Sequence, residues 1–235
     1  MTSSSLSSKL VVVKVGGDVL LDEAQRTGLG KNVRDLVDAG ARVVMLHGGG
    51  PQVTALQEKL GLKATKIAGR RVTSRDDIVV VAQAICGEVN VGLVSTLIAA
   101  GVDAFGTHGA SARLIVAHKR PPMKVAGVDE PVDYGEVGDV DRVRTDLIEA
   151  LLRANVVPVI GTLGVGDDGR VFNINADTTA VNVAKSLRAD VLLLVTAVGG
   201  VFKELKDPST RIASLTPSTG RALIADGTIS GGMIP

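Results

Sequence analysis

Short apolar runs alternate along this chain with longer segments that have helical spacing. Runs without polar alternation are typical of strands that helices cover on both faces. They predict strands at 10–13, 41–45, 102–105, 156–160 and 190–195. Helical spacing predicts helices at 18–39, 52–60, 74–100, 145–154, 177–187 and 217–226. This alternation predicts an α/β fold with a mainly parallel central sheet.

Individual residues refine these elements. Asp18 suits the N-cap of the first helix, and Gly40 suits its stop. Pro158 lacks an N–H group, so the strand at 156–160 is expected at a sheet edge, or with the proline at its end. The run at 190–195 gives the strongest signal for a buried strand.

Other segments depart from the parallel pattern. Residues 66–73 predict a short extended or hairpin excursion, and 114–117 with 132–143 predict antiparallel strands at one edge. A Gly-x-Gly-x-x-Gly spacing at 164–169 matches dinucleotide-binding loops. It ends in Asp-Asp-Gly, a hairpin-turn signal, and a strand rather than a helix follows. We therefore interpret this glycine pattern as a turn.

The helix at 74–100 is unusually apolar. Between Ile78 and Val102 its only charge is Glu88. Its length would span a membrane, but Glu88 and the uncharged polar residues within it argue against a membrane span. We expect the helix to lie between the sheet and a second subunit, which predicts a homodimer. Cys86 within it is expected to be ordinary core.

Composition narrows the functional classes. The 235 residues are 45% hydrophobic, and a net charge of +1 gives no bias toward nucleic acid or a membrane surface. The low content of aromatic residues, 2%, also argues against base-stacking surfaces. The single cysteine excludes an intrachain disulfide, and the Ser-rich residues 1–8 carry no signal-peptide pattern. We expect a disordered tail at 1–8 on a cytoplasmic protein.

The segment Leu46-His-Gly-Gly-Gly-Pro51 joins a predicted strand to a predicted helix. Glycines let the backbone approach a ligand closely, and Pro51 suits the first helical turn. N–H groups at such a junction bind anions, so we expect a phosphate or carboxylate here. An esterase oxyanion loop is excluded because the chain has no Gly-x-Ser-x-Gly motif. The three histidines have no metal-like spacing and are interpreted as incidental.

Polar side chains at strand ends and helix starts are the remaining candidates. Lys14 precedes two glycines and is either a solvated strand end or a phosphate contact. Arg71 is either a surface residue or a fork for a carboxylate. Asn173, Asn175 and Asp177 could bind a ligand or only stabilise a helix start. Together these groups suit positioning and charge stabilisation, which are most of what phosphoryl transfer needs.

The chain resembles the amino-acid kinase family from Leu10 to Pro235. The resemblance depends on seven motifs in a fixed order: Lys14-Val-Gly-Gly17, His47-Gly-Gly-Gly-Pro51, Gly69-Arg-Arg-Val-Thr73, Val137-Gly-Asp-Val140, Phe172-Asn-Ile-Asn-Ala-Asp177, Leu194-Val-Thr196 with Gly199-Gly-Val201, and Gly231-Gly-Met-Ile-Pro235. Each motif alone is weak, but the ordered set is highly specific.

The resemblance implies a three-layer αβα sandwich. Residues 9–160 would form a lobe that binds N-acetyl-L-glutamate, and residues 161–235 a lobe that binds ATP, with Mg2+ held through the phosphates. The implied reaction is ATP-dependent phosphorylation of the γ-carboxylate of N-acetyl-L-glutamate to an acyl phosphate, in arginine biosynthesis. Two small-molecule substrates are therefore expected, with no nucleic acid and no membrane.

The resemblance also implies roles for individual residues. Lys14 and the N–H groups of Gly17 and Gly49 would stabilise the transferring phosphoryl group, and Asp177 would orient the catalytic lysines. The acetylglutamate would be held by Gly49, Gly50, Asn173 and Arg71, with Arg71 on its α-carboxylate. The nucleotide site would include Gly16, Gly17, Thr196, Val198, Gly199, Gly231, Gly232 and Met233. No protein metal ligand is implied.

The chain departs from the family pattern near the nucleotide site. In the family a second lysine follows the Gly-Gly-Met-Ile-Pro segment, whereas this chain ends at Pro235. We therefore expect a shortened ATP lobe that lacks its C-terminal elements. Ala197 stands where the family has an aspartate, and an alanine side chain cannot make the polar nucleotide contact that the resemblance implies there.

Two rival functions remain open from the sequence. One is a kinase for an aminoadipate-type carboxylate of lysine biosynthesis, which would share the fold and the chemistry. The other is a non-catalytic ligand-binding protein of the same fold, suggested by the missing lysine and Ala197. Turnover of the two carboxylates side by side separates these functions.

Overall fold

A five-stranded parallel sheet forms the centre of the fold in the computed structural model, which describes residues 6–125 and 127–229. Its strands, in spatial order, are β11 (Val191–Val195), β1 (Leu10–Val15), β2 (Arg42–His47), β8 (Val157–Gly161) and β5 (Ala104–His108). Every pairing within it is parallel. The predicted α/β fold with a mainly parallel sheet is confirmed.

Helices cover both faces of this sheet. The helices of the described residues are α1 (Glu23–Asp38), α2 (Gly50–Lys59), α3 (Arg75–Ala82), α4 (Asn90–Ala99), α5 (Thr145–Arg153), α6 (Ala176–Ser186) and α7 (Pro217–Ala225). Of these, α1, α4, α5 and α6 pack on the sheet. Val11, Val13 and Val15 of β1 pack in one apolar cluster with residues of α1 and α4. Leu10 and Val12 pack in another with residues of α5 and α6. Alternate residues of β1 therefore face opposite helical layers, and the three-layer sandwich is confirmed.

A smaller four-stranded sheet lies in the order β10 (Val171–Asn173), β9 (Leu163–Val165), β6 (Ile115–Lys119) and β7 (Gly138–Val143). The antiparallel β6–β7 pair and the β9–β10 hairpin agree with the predictions for these regions. The glycine pattern at 164–169 is thus part of a hairpin. A third pair, β3 (Lys66–Ile67) and β4 (Arg70–Arg71), is the predicted excursion.

The long helix at 74–100 begins with a capping box made by Ser74 and Asp77. Between α3 and α4, Gln83–Val89 is π-helical, a feature that the sequence did not predict. By length and composition, Arg75–Ala99 could cross a membrane, and 39% of its most apolar window is buried inside the fold. Cys86 packs half-buried against an apolar cluster, and burial raises the pKa of its thiol to about 11.

The predicted start of the first helix was wrong. Asp18 lies in a turn, in which the Leu21 N–H donates to the Asp18 carbonyl. Asp22 is the N-cap instead, because its side chain accepts from the Gln25 N–H at 2.7 Å. Val19 and Leu20 are buried in the turn, so tertiary packing rather than helix formation uses these apolar residues.

Of the two alternatives for Pro158, the sheet edge was wrong, because β8 is an internal strand between β2 and β5. The strand end agrees with the structure, because Pro158 is the second residue of β8. Val157 donates its N–H to the carbonyl of Asp103 on the β5 side, so the nitrogen of the next residue faces β2. The pairing of β8 with β2 begins only at Val159. The proline therefore lies near the start of β8, at a position where its missing N–H breaks no ladder bond with β2.

The strand β11 is an edge of the described sheet and not the buried strand that its composition predicted. Leu194 is 52% exposed and Leu193 is 39% exposed. Its pairing with β1 places a strand from the predicted ATP lobe in the same sheet as strands of the predicted substrate lobe. Near the N-terminus, the Ser8 N–H donates to the Gly40 carbonyl, so this end of the predicted tail is hydrogen-bonded to the fold. Residues 1–5 of the predicted tail lie outside the described residues.

Candidate active site

A cleft of about 390 Å3 opens at the carboxyl ends of β1 and β2, where ligands bind in open α/β sheets. The starts of α2 and α6 face it. Eight of the predicted catalytic and ligand-binding residues line it: Lys14, Gly16, Gly17, Gly49, Gly50, Arg71, Asn173 and Asp177. The structure therefore brings together residues that lie as far apart in the chain as β1 and α6.

Lys14 and Asp177 form an ion pair in this cleft. The Lys14 Nζ lies 2.9 Å from the Asp177 Oδ1. Lys14 belongs to β1 and is buried, on the strand face that α6 covers, and Asp177 is in the first turn of α6. A buried ammonium needs an anionic partner, and Asp177 supplies it. Lys14 is thus not a solvated strand end.

Two glycine loops approach each other closely beside this pair: the first is Gly16–Gly17 and the second is Gly48–Gly50. A Cβ atom added to Gly17 would lie 3.3 Å from the Gly49 Cα and 2.8 Å from the Pro51 Cδ. Gln52 ties the loops together, because its Nε2 donates to the Gly17 carbonyl at 2.9 Å. Only glycine at position 17 permits this approach, so the N–H groups of both loops can face one ligand.

Arg71 is fixed on the other side of the cleft by several hydrogen bonds. Its Nη2 donates to the Gly50 carbonyl at 3.0 Å and to Thr54 Oγ1 at 2.6 Å, and its Nη1 donates to Gln57 Oε1. Gln57 in turn donates to Asp77 Oδ1 at 2.5 Å. Burial lowers the pKa of Arg71, and the nearby Asp77 carboxylate opposes this effect. Arg71 is therefore a cation whose guanidinium is fixed by hydrogen bonds, and not a free surface arginine.

The two asparagines have different roles in the structure. Asn175 is the N-cap of α6, because its Oδ1 accepts from the Thr178 N–H at 2.9 Å. Asn173 lines the cleft, and its Nδ2 donates to Thr73 Oγ1 at 3.2 Å. Asn173 therefore remains available for a ligand through its amide oxygen, whereas Asn175 stabilises the helix that carries Asp177.

Sequence reasoning missed three further cations that line the cleft, namely Lys66, Arg70 and Arg120. Lys66 and Arg70 are in the predicted hairpin next to Arg71, so their position along the chain was a usable signal. Arg120 is buried and makes a bidentate ion pair with Asp139, which holds the pKa of that carboxyl below its usual range. The surplus of positive charge suits a site for two anions.

His47 is not incidental. It is fully buried, and its Nδ1 lies 2.9 Å from the Gly48 carbonyl oxygen and its Nε2 lies 2.9 Å from Asn90 Nδ2. A carbonyl oxygen can only accept, so Nδ1 carries the proton and Nε2 accepts from the amide. Burial lowers the pKa of this histidine to about 4, so the ring is neutral at pH 7.

The predicted nucleotide residues are not all in this cleft. Thr196, Val198 and Gly199 do not line it. They form a turn directly after β11, in which Thr196 Oγ1 accepts from the Gly199 N–H at 3.1 Å. This turn is near the first glycine loop, because the Gly16 N–H donates to the Val195 carbonyl at 3.0 Å. Gly231, Gly232 and Met233 lie outside the described residues.

Comparison with known proteins identifies the family of this chain. The model of the amino acid kinase family matches residues 9–235. The chain belongs to the amino acid kinase family. Within the family, it is 45% identical over 228 residues to an acetylglutamate kinase of Anaeromyxobacter dehalogenans (strain 2CP-C), covering 97% of this chain and 84% of that protein. It is 46% identical to an acetylglutamate kinase of Sorangium cellulosum (strain So ce56), covering 96% of this chain and 79% of that protein.

A solved structure supports the same fold. The crystal structure of smu.665 from Streptococcus mutans UA159 aligns with a TM-score of 0.81 at 31% sequence identity, and the alignment covers 96% of this chain and 86% of that chain. The family resemblance inferred from the seven motifs is thus confirmed, together with the fold that it implied.

Proposed function

We propose that this protein is an acetylglutamate kinase, which transfers the γ-phosphoryl group of ATP to the γ-carboxylate of N-acetyl-L-glutamate. The observation that carries the proposal is that the same cleft is lined by the Lys14–Asp177 ion pair, both glycine loops and Arg71. The acetylglutamate kinases of Anaeromyxobacter and Sorangium, similar along almost the whole chain, support the same activity and its place in arginine biosynthesis.

The chemistry fits the side chains in the cleft. One oxygen of the γ-carboxylate attacks the γ-phosphorus in line, the bond from that phosphorus to the bridging oxygen breaks, and ADP leaves with the electron pair. A carboxylate is already deprotonated at pH 7, so the reaction needs no general base. What it needs is a way to hold two anions together, since their charges repel.

The proposed roles on the phosphoryl side follow from position. Lys14 reduces the negative charge on the transferring group, and Asp177 holds the lysine in place. The N–H groups of Gly17 and Gly49 donate to the phosphoryl oxygens. Fixed donors of this kind stabilise the charge that spreads over those oxygens in the transition state.

The proposed roles on the acceptor side involve Arg71 and Asn173. The guanidinium of Arg71 pairs with the α-carboxylate of the acetylglutamate, and Gln57 and Thr54 fix its direction. Asn173, Gly49 and Gly50 bind the rest of the molecule. A cation that is already held loses little side-chain entropy when it binds a ligand.

The proposed nucleotide site combines the first glycine loop, Gly16 and Gly17, with the turn that contains Thr196, Val198 and Gly199. We propose that Mg2+ is held through the phosphates of ATP, where it neutralises their charge. Among residues 6–125 and 127–229, no group of three or more His, Cys, Asp or Glu side chains is arranged to hold a metal ion.

The lobe assignment, residues 9–160 for acetylglutamate and 161–235 for ATP, is retained as a proposal, as are the cytoplasmic location and the homodimer. The acceptor specificity is tested by incubating the protein with ATP, Mg2+ and either N-acetyl-L-glutamate or an aminoadipate-type carboxylate. Acyl phosphate is trapped with hydroxylamine and ADP is measured separately. We expect turnover with N-acetyl-L-glutamate. Faster turnover with the aminoadipate-type acceptor would assign the protein to lysine biosynthesis instead. No turnover with either acceptor would support a non-catalytic ligand-binding role.

A further inference from the structure

The second glycine loop is anchored from behind by two buried polar residues. His47, the last residue of β2, lies directly before the loop, and Asn90 is the first residue of α4. Asn90 Nδ2 lies 2.9 Å from His47 Nε2, 3.0 Å from the Val159 carbonyl oxygen and 3.2 Å from the Thr107 carbonyl oxygen. One side chain thus contacts three neighbouring strands, β2, β8 and β5.

The π-helical segment explains how Asn90 reaches this position. It directly precedes Asn90, and its Ile85 and Val89 pack against the glycine loop. A Cβ atom added to Gly49 would lie 3.1 Å from Val89 Cγ2 and 3.4 Å from Ile85 Cγ1. A single π-helical turn inside an α-helix often occurs at functional sites, and here it presses on the loop and presents Asn90 to the three strands.

The hydrogen bond from His47 controls a specific peptide group. The ring Nδ1–H donates to the Gly48 carbonyl. That carbonyl and the Gly49 N–H belong to the same peptide unit, which is planar and trans, so the two groups point in opposite directions. Gly48, Gly49 and Gly50 line the cleft, whereas His47 is buried behind them. The Gly49 N–H therefore points away from the histidine and toward the cleft.

We propose that His47 and Asn90 are positioning residues of the phosphoryl transfer: Asn90 fixes the histidine ring, and the ring fixes the Gly48–Gly49 peptide so that the Gly49 N–H faces the reacting group. Neither side chain touches the substrates. This inference rests on the proposed kinase function for its kinetic part. The assignment of the ring tautomer does not depend on any activity.

The kinetic experiment compares His47→Leu, His47→Asn and Asn90→Leu with the intact protein. Leucine removes the donor, whereas an asparagine amide can replace the Nδ1–H. Loss of one fixed donor to a transition-state oxygen costs about 10²-fold in kcat, so we expect a fall of this order in His47→Leu and Asn90→Leu. The KM for ATP is expected to stay within about twofold, since only the transition state loses an interaction. The kcat of His47→Asn is expected to be about tenfold higher than that of His47→Leu.

A matched control separates this role from general packing. His108 is the last residue of β5, on the same edge of the sheet, and does not line the cleft. We expect His108→Leu to keep normal kinetics. A purely structural role for His47 predicts instead that kcat and thermal stability fall together and that asparagine does not rescue kcat. Either a kcat near normal in folded His47→Leu or a failure of rescue with equal stability would overturn the proposal.

The tautomer is measured by long-range 1H–15N NMR of the histidine rings at pH 7. We expect Nδ1 of His47 to be protonated and Nε2 to be unprotonated, and Asn90→Leu to change the Nε2 shift. A ring protonated at Nε2 would overturn the inference even if the enzyme is active. Conversely, an intact protein without kinase activity would refute the proposed function, and the NMR result would still decide the inference about the loop.

Discussion

Lys14 Nζ lies 2.9 Å from Asp177 Oδ1, and this contact joins the internal strand β1 to the first turn of α6. We predict that Asp177→Asn, which keeps the shape and removes the charge, lowers kcat by about 10²-fold, because the buried lysine loses the partner that holds it. Steady-state kinetics at saturating ATP and acetylglutamate measures this effect.

The fold supplies a matched control for that variant. Lys9 and Asp190 form an ion pair of 2.8 Å at the opposite end of β1, and both side chains are partly exposed. Exposed pairs contribute little to stability, so Asp190→Asn should leave kcat unchanged. Equal losses of kcat in the two variants would mean that Asp177 acts only through the fold.

Gly17→Ala should abolish measurable turnover. The new Cβ would lie 2.8 Å from the Pro51 Cδ, a distance at which the two glycine loops must separate. Activity and thermal unfolding of the purified variant are the measurements.

Gly28→Ala is the control for the glycine prediction. A Cβ atom at Gly28, inside α1, meets nothing within 4 Å, and alanine is the better helix former, so this variant should be fully active and more stable by about 0.5–1 kcal/mol. Normal turnover in Gly17→Ala would contradict the close approach of the loops.

Arg71→Lys should raise the KM for acetylglutamate by about tenfold to a hundredfold with little change in the KM for ATP. A lysine cannot reproduce the planar fork that binds a carboxylate while donating to Gln57 and Thr54. Kinetics with each substrate varied in turn tests this split. Arg142→Lys, at an exposed site on β7, should behave like the intact protein. A rise in the KM for ATP alone would assign Arg71 to the nucleotide instead.

The stability of the protein should depend on the protonation of His47. Burial lowers its folded-state pKa to about 4 from 6.5, so between these values the unfolded chain binds a proton that the folded chain does not. The contribution of the neutral His47 to the free energy of unfolding is therefore fully present above pH 6.5 and is lost as the pH falls toward 4. The loss from this residue amounts to about 3 kcal/mol at most.

Urea unfolding at several pH values measures this dependence. His47→Asn cannot titrate, so it should show a flatter fall of unfolding free energy between pH 6.5 and 4 than the intact protein. The difference between the two curves isolates the histidine from carboxylates that titrate in the same range. Parallel curves would show that His47 is protonated in the folded state.

The homodimer stays a prediction, and the structure offers a place to test it. Val79, Val91 and Ile98 on the long helix are each more than half exposed, which leaves apolar surface on this chain. Val91→Glu should convert a dimer into a monomer without loss of helix content. Light scattering after size-exclusion chromatography gives the mass, and a monomer in the intact protein would contradict the expectation.

The sequence predicted the parts of the fold that depend on local pattern. Apolar runs placed all five strands of the main sheet, and the Asp-Asp-Gly turn placed the β9–β10 hairpin. It could not predict that β11 is an edge of the described sheet, because an edge is defined by neighbours in space and not by the strand's own composition. The sheet edge expected for Pro158 was wrong for the same reason, since an internal strand tolerates the proline where the pairing with its neighbour has not yet begun.

The candidate site shows the same division. Lys14, the glycine loops and Asp177 follow recognisable local patterns, so they were found from the sequence. Gln57 and Arg120 were missed because their partners, Arg71 and Asp139, lie on other elements. His47 was dismissed because its spacing did not suit a metal, whereas its role depends on a residue 43 positions away.

The alternation of β1 between the two helical layers has a consequence for sequence change. Lys14 shares a strand face with Leu10 and Val12, on the side covered by α6, whereas Val13 and Val15 face α1. Insertion or deletion of one residue within β1 would turn the Lys14 ammonium toward the layer of α1 and α4 and would present a valine to Asp177. Natural variation in the length of this strand should therefore be limited to steps of two residues, whatever substitutions its valines tolerate.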